Sequence, residues 1–156
     1  MAYMKVVERN QSHKYKDNNS YRDLIQYCCN PAKAIHTGKI NLQSIETAPE
    51  EMEQAARLFK KEFGKRISHI ILAFRPGEAA SMALVKQIAD QCLQYYYSQY
   101  QAIYAIHKDP ALHIHIIMNR VSLLDGKKYP DRYEDRYRLW AYIRNVMKQH
   151  GIQLWK

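Results

Sequence analysis

The stretch "HKDPALHIHIIMN", His107–Asn119, holds three of the seven histidines of this 156-residue chain. From Leu112 onward, side chains at alternate positions would point to opposite faces of a sheet, because the side-chain period of a β-strand is two. One face would carry Leu112, Ile114, Ile116 and Met118, and the other would carry His113, His115, Ile117 and Asn119. The pattern therefore predicts a strand with an apolar face and a face that carries two histidines.

The preceding segment, "QAIYAIH" (residues 101–107), also has the composition of a strand. Only the five residues "KDPAL" separate His107 from His113, which is short enough for an antiparallel hairpin. In near register, His107 would stand opposite His113 with their Cβ atoms about 5 Å apart. The hairpin would thus bring a third imidazole beside the two on the second strand.

His107, His113 and His115 are therefore candidate metal ligands. Residues i and i+2 of a strand lie ~6.5–7 Å apart, so their imidazoles can converge on one ion through bonds of ~2.0–2.2 Å. Mg²⁺, Mn²⁺ or a later transition metal would leave positions for water and phosphate oxygens. The alternative is that the histidines are polar residues on the solvated face of an amphipathic strand. Asp109 either hydrogen-bonds a ligand imidazole or only shapes the turn before Pro110.

The rest of the chain predicts further strands and helices. Strands are expected over residues 2–8 and 66–74, a hairpin or loop over 34–46, and helices over 21–30, 48–64, 79–100 and about 132–150. In the first helix Tyr27 lies about 100° from the centre of the apolar face, at the edge of the core. In the second, Phe63 is expected to point inward and Gly64 to end the helix.

Composition indicates one domain over residues 1–156 with a basic character, since Lys and Arg number 24 against 15 Asp and Glu. The excess lies at the ends: residues 1–40 have seven basic residues against three acidic ones, and residues 120–156 have nine against four. With thirteen tyrosines, this is compatible with single-stranded nucleic acid, whose phosphates contact Lys and Arg and whose bases stack on rings. Membrane binding and solubility are the alternatives.

Three cysteines, of which Cys28 and Cys29 are adjacent, cannot form a regular disulfide framework. A reducing compartment is therefore expected. The first residues lack the apolar core of a signal peptide, and the apolar runs are far shorter than the ~20 residues that cross a bilayer. These features predict a cytoplasmic protein that does not insert into a membrane.

Three ordered blocks resemble the nuclease domain of conjugative relaxases, or mobilisation proteins, within the HUH endonucleases. "LIQYCCNPAK" (residues 24–33) is similar to the relaxase block "LxxYIxNPxK", and "SHIILAFRPGE" (residues 68–78) is similar to "HxxxSFxPGE". "HKDPALHIHIIMNRV" (residues 107–121) is similar to "HxDxxxxHxHxxxN". The resembling group includes broad-host-range plasmid relaxases and the agrobacterial T-DNA nickase. Ala73 departs from the pattern, because the family usually has there a serine thought to contact the substrate strand.

The resemblance implies an α+β fold, with a mainly antiparallel sheet of about five strands and helices packed over it. It assigns the nucleophile to Tyr27, a catalytic position to Asp109, and the ligands of Mg²⁺ or Mn²⁺ to the three histidines. The implied activity is nicking and rejoining of one DNA strand at a transfer origin through a 5′-phosphotyrosine. The implied partners are single-stranded DNA, accessory DNA-binding proteins and a secretion-system coupling protein.

Several polar residues are candidate contacts to nucleic acid, although each alone is compatible with an ordinary surface charge. They are Lys33, Arg66, Arg75, Asn119, Arg120, Lys127 and Lys128. Four aromatic residues either stack on bases or close the core: Tyr129, Tyr133, Tyr137 and Trp140. His69, in a buried strand, is expected to be structural.

Two other functions remain open from the sequence. In a single-tyrosine transposase or replication initiator of the HUH type, the nucleophile would follow the histidines, as Tyr133 or Tyr137. The second alternative is a module that binds single-stranded DNA without nicking it.

Overall fold

The computed structural model describes residues 2–7, 15–77 and 81–155. Its strands are β1 (Ala2–Val6), β2 (Ala34–Ile40), β3 (Ile67–Phe74), β4 (Ala102–His107), β5 (His113–Asn119) and β6 (Leu154–Trp155). Its α-helices are α1 (Asn19–Cys28), α2 (Ala48–Leu58), α3 (Met82–Leu93) and α4 (Tyr133–Gln149). Glu78, the last residue of the second relaxase-like block, lies outside the described residues, as do the predicted start of the third helix at Ala79 and the end of the first predicted strand at Glu8.

The six strands form one sheet in the order β2-β4-β5-β3-β1-β6. All neighbouring pairs are antiparallel except β1 and β6, which run parallel. The α+β fold with a mainly antiparallel sheet is therefore confirmed, with one strand more than the five or so expected. The two-residue strand β6 is too short to show the alternation by which a strand is predicted.

Helices cover both faces of the sheet. Ile114 and Ile116 of β5 belong to a core that includes Ile88 of α3 and Ile143 of α4. Ile117, on the other face of the same strand, belongs to a second core. That core includes Ile25 of α1 and Met52 of α2, together with Ile103 of β4. The face that carries the histidines is therefore the one beneath α1 and α2.

The predicted hairpin is confirmed in its register. β4 and β5 pair antiparallel, and His107 is the partner of His113. Ala105 stands opposite His115 and Ile103 opposite Ile117, so the histidine end of the hairpin is the end nearest the connecting turn. The alternation of β5 was thus sufficient to predict which side chains share a face.

Three predictions about other elements were wrong. The helix expected over residues 48–64 ends at Leu58, because Lys60 has a left-handed φ of 57° that an α-helix cannot accommodate. Phe63 is consequently exposed rather than inward. Residues 34–40, expected in a hairpin or loop, form one strand, β2, which pairs with β4 at an edge of the sheet. The helix predicted to reach residue 100 ends at Leu93 and continues as a short 3₁₀ turn.

None of the helices in the described ranges combines the length and the apolar character that crossing a membrane requires.

Candidate metal centre and active site

Three imidazoles from the β4–β5 hairpin meet on the sheet face beneath α1. The ring centroids of His107 and His115 are 4.5 Å apart, and the other two pairs are 4.9 and 5.1 Å apart. One nitrogen from each ring lies within 4.8 Å of the others. His107 and His115 are buried, whereas His113 is half-buried, so the cluster opens to solvent on the side of His113. The three predicted ligands are therefore brought together.

Each imidazole has one ring nitrogen fixed by a hydrogen-bond partner outside the cluster. Nδ1 of His113 donates to the backbone oxygen of Ala111 over 2.7 Å, and Nε2 of His107 donates to that of Cys28 over 2.6 Å. A carbonyl oxygen only accepts, so each of these two nitrogens carries a proton. When such a ring is neutral, its other nitrogen has the lone pair that can bind a metal ion.

The third imidazole is oriented by a buried histidine. Nδ1 of His115 lies 2.8 Å from Nε2 of His69, whose Nδ1 lies 3.0 Å from the hydroxyl of Tyr15. Burial, reinforced by the three neighbouring histidines, lowers the pKa of His115 to about 3. The ring is therefore neutral at physiological pH, as a metal ligand must be.

The donor set fits a divalent ion. Two metal–nitrogen bonds of ~2.1 Å at a tetrahedral angle place their nitrogens roughly 3.4 Å apart, so side-chain movements of about 1 Å would bring the three nitrogens to bonding distance. If Nε2 of His115 binds the ion, Nδ1 must carry the proton and donate to His69, which in turn donates to Tyr15. Both hydrogen bonds allow this order, in which His115 donates to His69 and His69 donates to the hydroxyl of Tyr15. Three protein nitrogens leave positions for water or phosphate oxygens.

Tyr27 lies near the C-terminus of α1, one residue before Cys28, whose carbonyl accepts the bond from His107. Its side chain is 57% exposed, although the sequence placed it at the edge of the core. The ammonium of Lys33 lies 4.4 Å from the centroid of its ring. A cation in this position is attracted to the ring face and also to an approaching phosphate.

Asp109 lies in the turn between β4 and β5 and is exposed. The fixed nitrogen of each imidazole has another partner: Ala111, Cys28 or His69. Of the two sequence alternatives for Asp109, this arrangement therefore favours a role in the turn over a hydrogen bond to a ligand.

Two of the predicted nucleic-acid contacts lie at the histidine end of the sheet. Lys33 immediately precedes β2, whose first residue, Ala34, pairs with His107. Arg75 follows the last residue of β3, and its guanidinium donates to the hydroxyl of Tyr3 over 2.8 Å. Both side chains are exposed. Ala73 of β3 pairs with His113 at the same end, with only a methyl group where the resembling family usually has a hydroxyl.

The remaining candidates lie at the opposite end of β3 and β5. The length of β5 separates Asn119 from His113 by roughly 20 Å, from six steps of ~3.3 Å. Asn119 has no exposed surface and bonds Tyr21 and Gln101. Arg120, also buried, forms an ion pair with Asp131. Neither can reach a phosphate in this conformation.

Arg66, Lys127 and Lys128 lie at the same end as Asn119. Arg66 is buried and donates to the carbonyl of Gly64 over 2.7 Å, whereas Lys127 is exposed. The ammonium of Lys128 lies 4.7 Å from the ring centroid of Phe63. Partial burial, together with the charges of Arg120 and Arg66, lowers the pKa of Lys128 to about 8.

The aromatic residues near α4 lie on the other face of the sheet, because α4 packs in the core opposite the histidines. Tyr129 and Trp140 pack against that core. Of the two expectations for them, base stacking and closing the core, they therefore meet the second. Tyr133 and Tyr137 are exposed, with ring centroids 6.5 Å apart. The sheet therefore separates these two tyrosines from the three histidines.

Sequence reasoning missed how the histidine cluster is supported. His69 was expected to be structural, and it is a buried, hydrogen-bonded residue, but its partner is a candidate metal ligand. The contribution of Cys28 is a backbone oxygen, for which residue type gives no signal. Tyr15 lies in a polar segment that showed no periodicity.

An α+β domain with three histidines on the covered face of an antiparallel sheet, and a tyrosine on the helix above them, is the arrangement that the three sequence blocks led us to expect. The chain matches the nuclease domain of MobA/VirD2-like relaxases over residues 27–152. It therefore belongs to this relaxase family.

Two curated relatives are similar over part of the chain. Protein rlx of Staphylococcus aureus is 26% identical over 117 residues, which cover 70% of this chain and 35% of the relative. Protein TraI of Escherichia coli is 32% identical over 80 residues, which cover 50% of this chain and 11% of the relative. The matches thus span about a third and about a tenth of the length of these relatives.

Proposed function

We propose that this chain nicks and rejoins one strand of DNA at a transfer origin, with Tyr27 as the nucleophile. The observation that carries the proposal is the hydrogen bond between His107 and the backbone of Cys28. It joins a candidate metal ligand to the residue after Tyr27, so the exposed phenol and the histidine cluster have a fixed backbone relationship. Membership of the relaxase nuclease family supports the same activity.

In the proposed reaction, the hydroxyl oxygen of Tyr27 forms a bond to the phosphorus of the scissile phosphate while the bond from phosphorus to the 3′ oxygen breaks. The phenol loses its proton and the departing 3′ oxygen gains one. The products are a 5′-phosphotyrosine and a free 3′-OH. Because one phosphate ester replaces another, the reverse reaction rejoins the strand.

His107, His113 and His115 would hold Mg²⁺ or Mn²⁺, whose charge would offset the negative charge that builds on the phosphate oxygens. Lys33 and Arg75, at the same end of the sheet, would hold the flanking phosphates. The exposed side of the cluster at His113 would admit the strand. Accessory DNA-binding proteins and a secretion-system coupling protein are the further partners expected of such a domain.

The position of α4 argues against the rival with a C-terminal nucleophile. Tyr133 and Tyr137 belong to a helix that packs on the face opposite the histidines. A phosphate held at the histidine cluster would be separated from both hydroxyls by the thickness of the sheet.

The test uses a labelled pool of single-stranded oligonucleotides that tile the DNA flanking the gene, incubated with the protein and Mn²⁺. A protein-linked product on a denaturing gel is expected, and Tyr27→Phe should abolish it. Tyr137→Phe, the matched control, should leave it unchanged. An adduct that survives Tyr27→Phe but not Tyr137→Phe would establish the rival mechanism. Salt-sensitive binding without any adduct would identify a module that binds without nicking.

A further inference from the structure

A second group of metal-binding atoms lies directly beneath α1. The Sγ atom of Cys28 and one ring nitrogen each from His69 and His115 are all within 4.8 Å of one another. All three residues are buried. The thiol comes from α1, and the imidazoles come from the adjacent strands β3 and β5.

We propose that Cys28, His69 and His115 form a second metal site, which binds a thiophilic ion such as Zn²⁺ or Cd²⁺ and prevents an ion from occupying the three-histidine cluster. A thiolate with two imidazoles is a donor set that these ions favour, whereas Mg²⁺ and Mn²⁺ favour oxygen ligands. The thiolate therefore makes the inner cluster the better site for a thiophilic ion, because the three-histidine cluster offers only imidazole nitrogens.

The two clusters cannot bind ions at the same time because both contain His115. A neutral imidazole has one lone pair and one N–H group. Nδ1 of His115 lies 2.8 Å from His69 and faces the inner site, which leaves Nε2 for His107 and His113. His115 can therefore donate its lone pair to one cluster at a time. The consequence that a thiophilic ion would block nicking rests on the proposed function, but the binding itself does not.

Binding at the inner site requires a proton to leave. Burial raises the pKa of the Cys28 thiol to about 12, so the sulfur is protonated in the absence of an ion. When the ion binds, the S–H bond breaks, the thiolate coordinates the ion, and the proton passes to solvent. Two bonds of ~2.0 Å at a tetrahedral angle place their nitrogens roughly 3.3 Å apart. The ring nitrogens of His69 and His115 must therefore separate by only a fraction of an ångström.

The chain contains two matched controls for the thiol. Cys29 is the neighbouring residue and is half-buried, and Cys92 is buried in the core on the opposite face of the sheet. Neither belongs to the group of converging ligand atoms that contains Cys28.

The experiment is a titration of the full chain with Cd²⁺, followed by the ultraviolet charge-transfer absorption that a thiolate–cadmium bond produces. The absorption should saturate in the unaltered chain, in Cys29→Ser and in Cys92→Ser, and it should be absent in Cys28→Ser. His113→Ala should retain it, because His113 belongs only to the outer cluster. His69→Gln should weaken Cd²⁺ binding by at least about tenfold, and it provides a second test if Cys28→Ser fails to fold.

Competition with Mn²⁺ tests the exclusion. Excess Mn²⁺ should shift the Cd²⁺ titration of the unaltered chain to higher concentration and should have little effect on His113→Ala. Absorption that persists in Cys28→Ser, or that disappears in Cys29→Ser, would overturn the inner site. If the Cd²⁺ titration of the unaltered chain is the same with and without excess Mn²⁺, the two clusters do not exclude each other. No measurement uses DNA, so a failure of the proposed nuclease activity would be seen separately.

Discussion

The Nε2 atom of His107 lies 2.6 Å from the backbone oxygen of Cys28, and this hydrogen bond joins strand β4 to the helix that carries Tyr27. Cys28 is the last residue of α1, where backbone oxygens have no partner within the helix. The bond therefore satisfies a helix end and also determines which nitrogen of His107 keeps its lone pair. One hydrogen bond therefore contributes both to holding α1 over the histidine face and to fixing which nitrogen of His107 is available to a metal ion.

His69 should control metal affinity although it does not belong to the three-histidine cluster. It holds Nδ1 of His115 through a 2.8 Å hydrogen bond, and loss of such an outer partner typically lowers affinity 10–100-fold. We expect His69→Ala to weaken Mn²⁺ binding by about that factor. His69→Gln, whose amide can also hydrogen-bond His115, should recover part of the loss. The Mn²⁺ affinities of the two variants are measured by titration, with free Mn²⁺ detected by electron paramagnetic resonance.

The matched control for this prediction is His150→Ala. His150 bonds the side chain of Gln91 at the end of α4, on the opposite face of the sheet. Its loss should leave the affinity for Mn²⁺ unchanged. Equal affinity in His69→Ala and the unaltered chain, with both proteins folded, would show that His115 needs no outer partner.

Asn119 should contribute to stability rather than to DNA binding. Its amide donates to Gln101 over 2.9 Å and to the backbone oxygen of Met52 over 3.2 Å, and its oxygen accepts from Tyr21. These bonds tie α1 and α2 to the sheet. Because Asn119→Ala leaves buried partners unsatisfied, we expect a loss of about 2–4 kcal/mol in the free energy of unfolding. Tyr21→Phe should lose about 1 kcal/mol.

Urea unfolding measures these two changes, and salt-dependent binding to single-stranded DNA is measured where both variants are folded. Affinity for DNA should then match that of the unaltered chain. A stable Asn119→Ala protein that has lost its affinity would instead make Asn119 a contact to the strand, as the sequence first suggested.

The histidine strand and its hairpin with the preceding strand could be predicted because they depend on period and spacing, which are properties of local sequence. The pairing of His107 with His113 followed from a five-residue connection. The burial of Asn119 and Arg120 could not be predicted, because it depends on which helices cover the far end of the sheet. The bond from His107 to Cys28 joins residues 79 positions apart through a backbone atom that every residue possesses.

Lys33 and Arg75 should contribute to DNA affinity through phosphate contacts. Both are exposed at the histidine end of the sheet, where the scissile phosphate would lie. Each contact with a single strand contributes about 0.7 to the slope of log affinity against log salt concentration. Lys33→Ala and Arg75→Ala should each reduce the slope by about that amount, as measured by fluorescence anisotropy over a range of salt concentrations.

Lys86→Ala is the control for these two variants. Lys86 pairs with Asp90 on α3, which packs on the face opposite the histidines. For Lys86→Ala, the slope of log affinity against log salt concentration should equal that of the unaltered chain. Equal losses in all three variants would mean that affinity reflects overall charge rather than a strand bound at the histidine end.

Lys128 should make the free energy of unfolding depend on pH in the alkaline range. Partial burial and the nearby charges of Arg120 and Arg66 lower its pKa to about 8 in the folded protein, against an ordinary value near 10.5. Below pH 8 lysine is protonated in both states, and the folded protein bears the full cost of the charge. Between about pH 8 and 10.5 the folded state releases the proton first, so this cost is relieved as the pH rises.

Lys128→Met should therefore stabilise the protein most below pH 8, and the gain should shrink as the pH rises toward 10.5. The gain is reduced at every pH by loss of the hydrogen bond from Lys128 to the carbonyl of Phe63. Groups common to both proteins cancel when the free energies of unfolding are subtracted at each pH, and Lys127→Met reports the effect of losing an exposed neighbouring lysine. A difference between Lys128→Met and the unaltered chain that stays constant from pH 7 to pH 10.5 would show that the folded protein does not disfavour the charged form of Lys128.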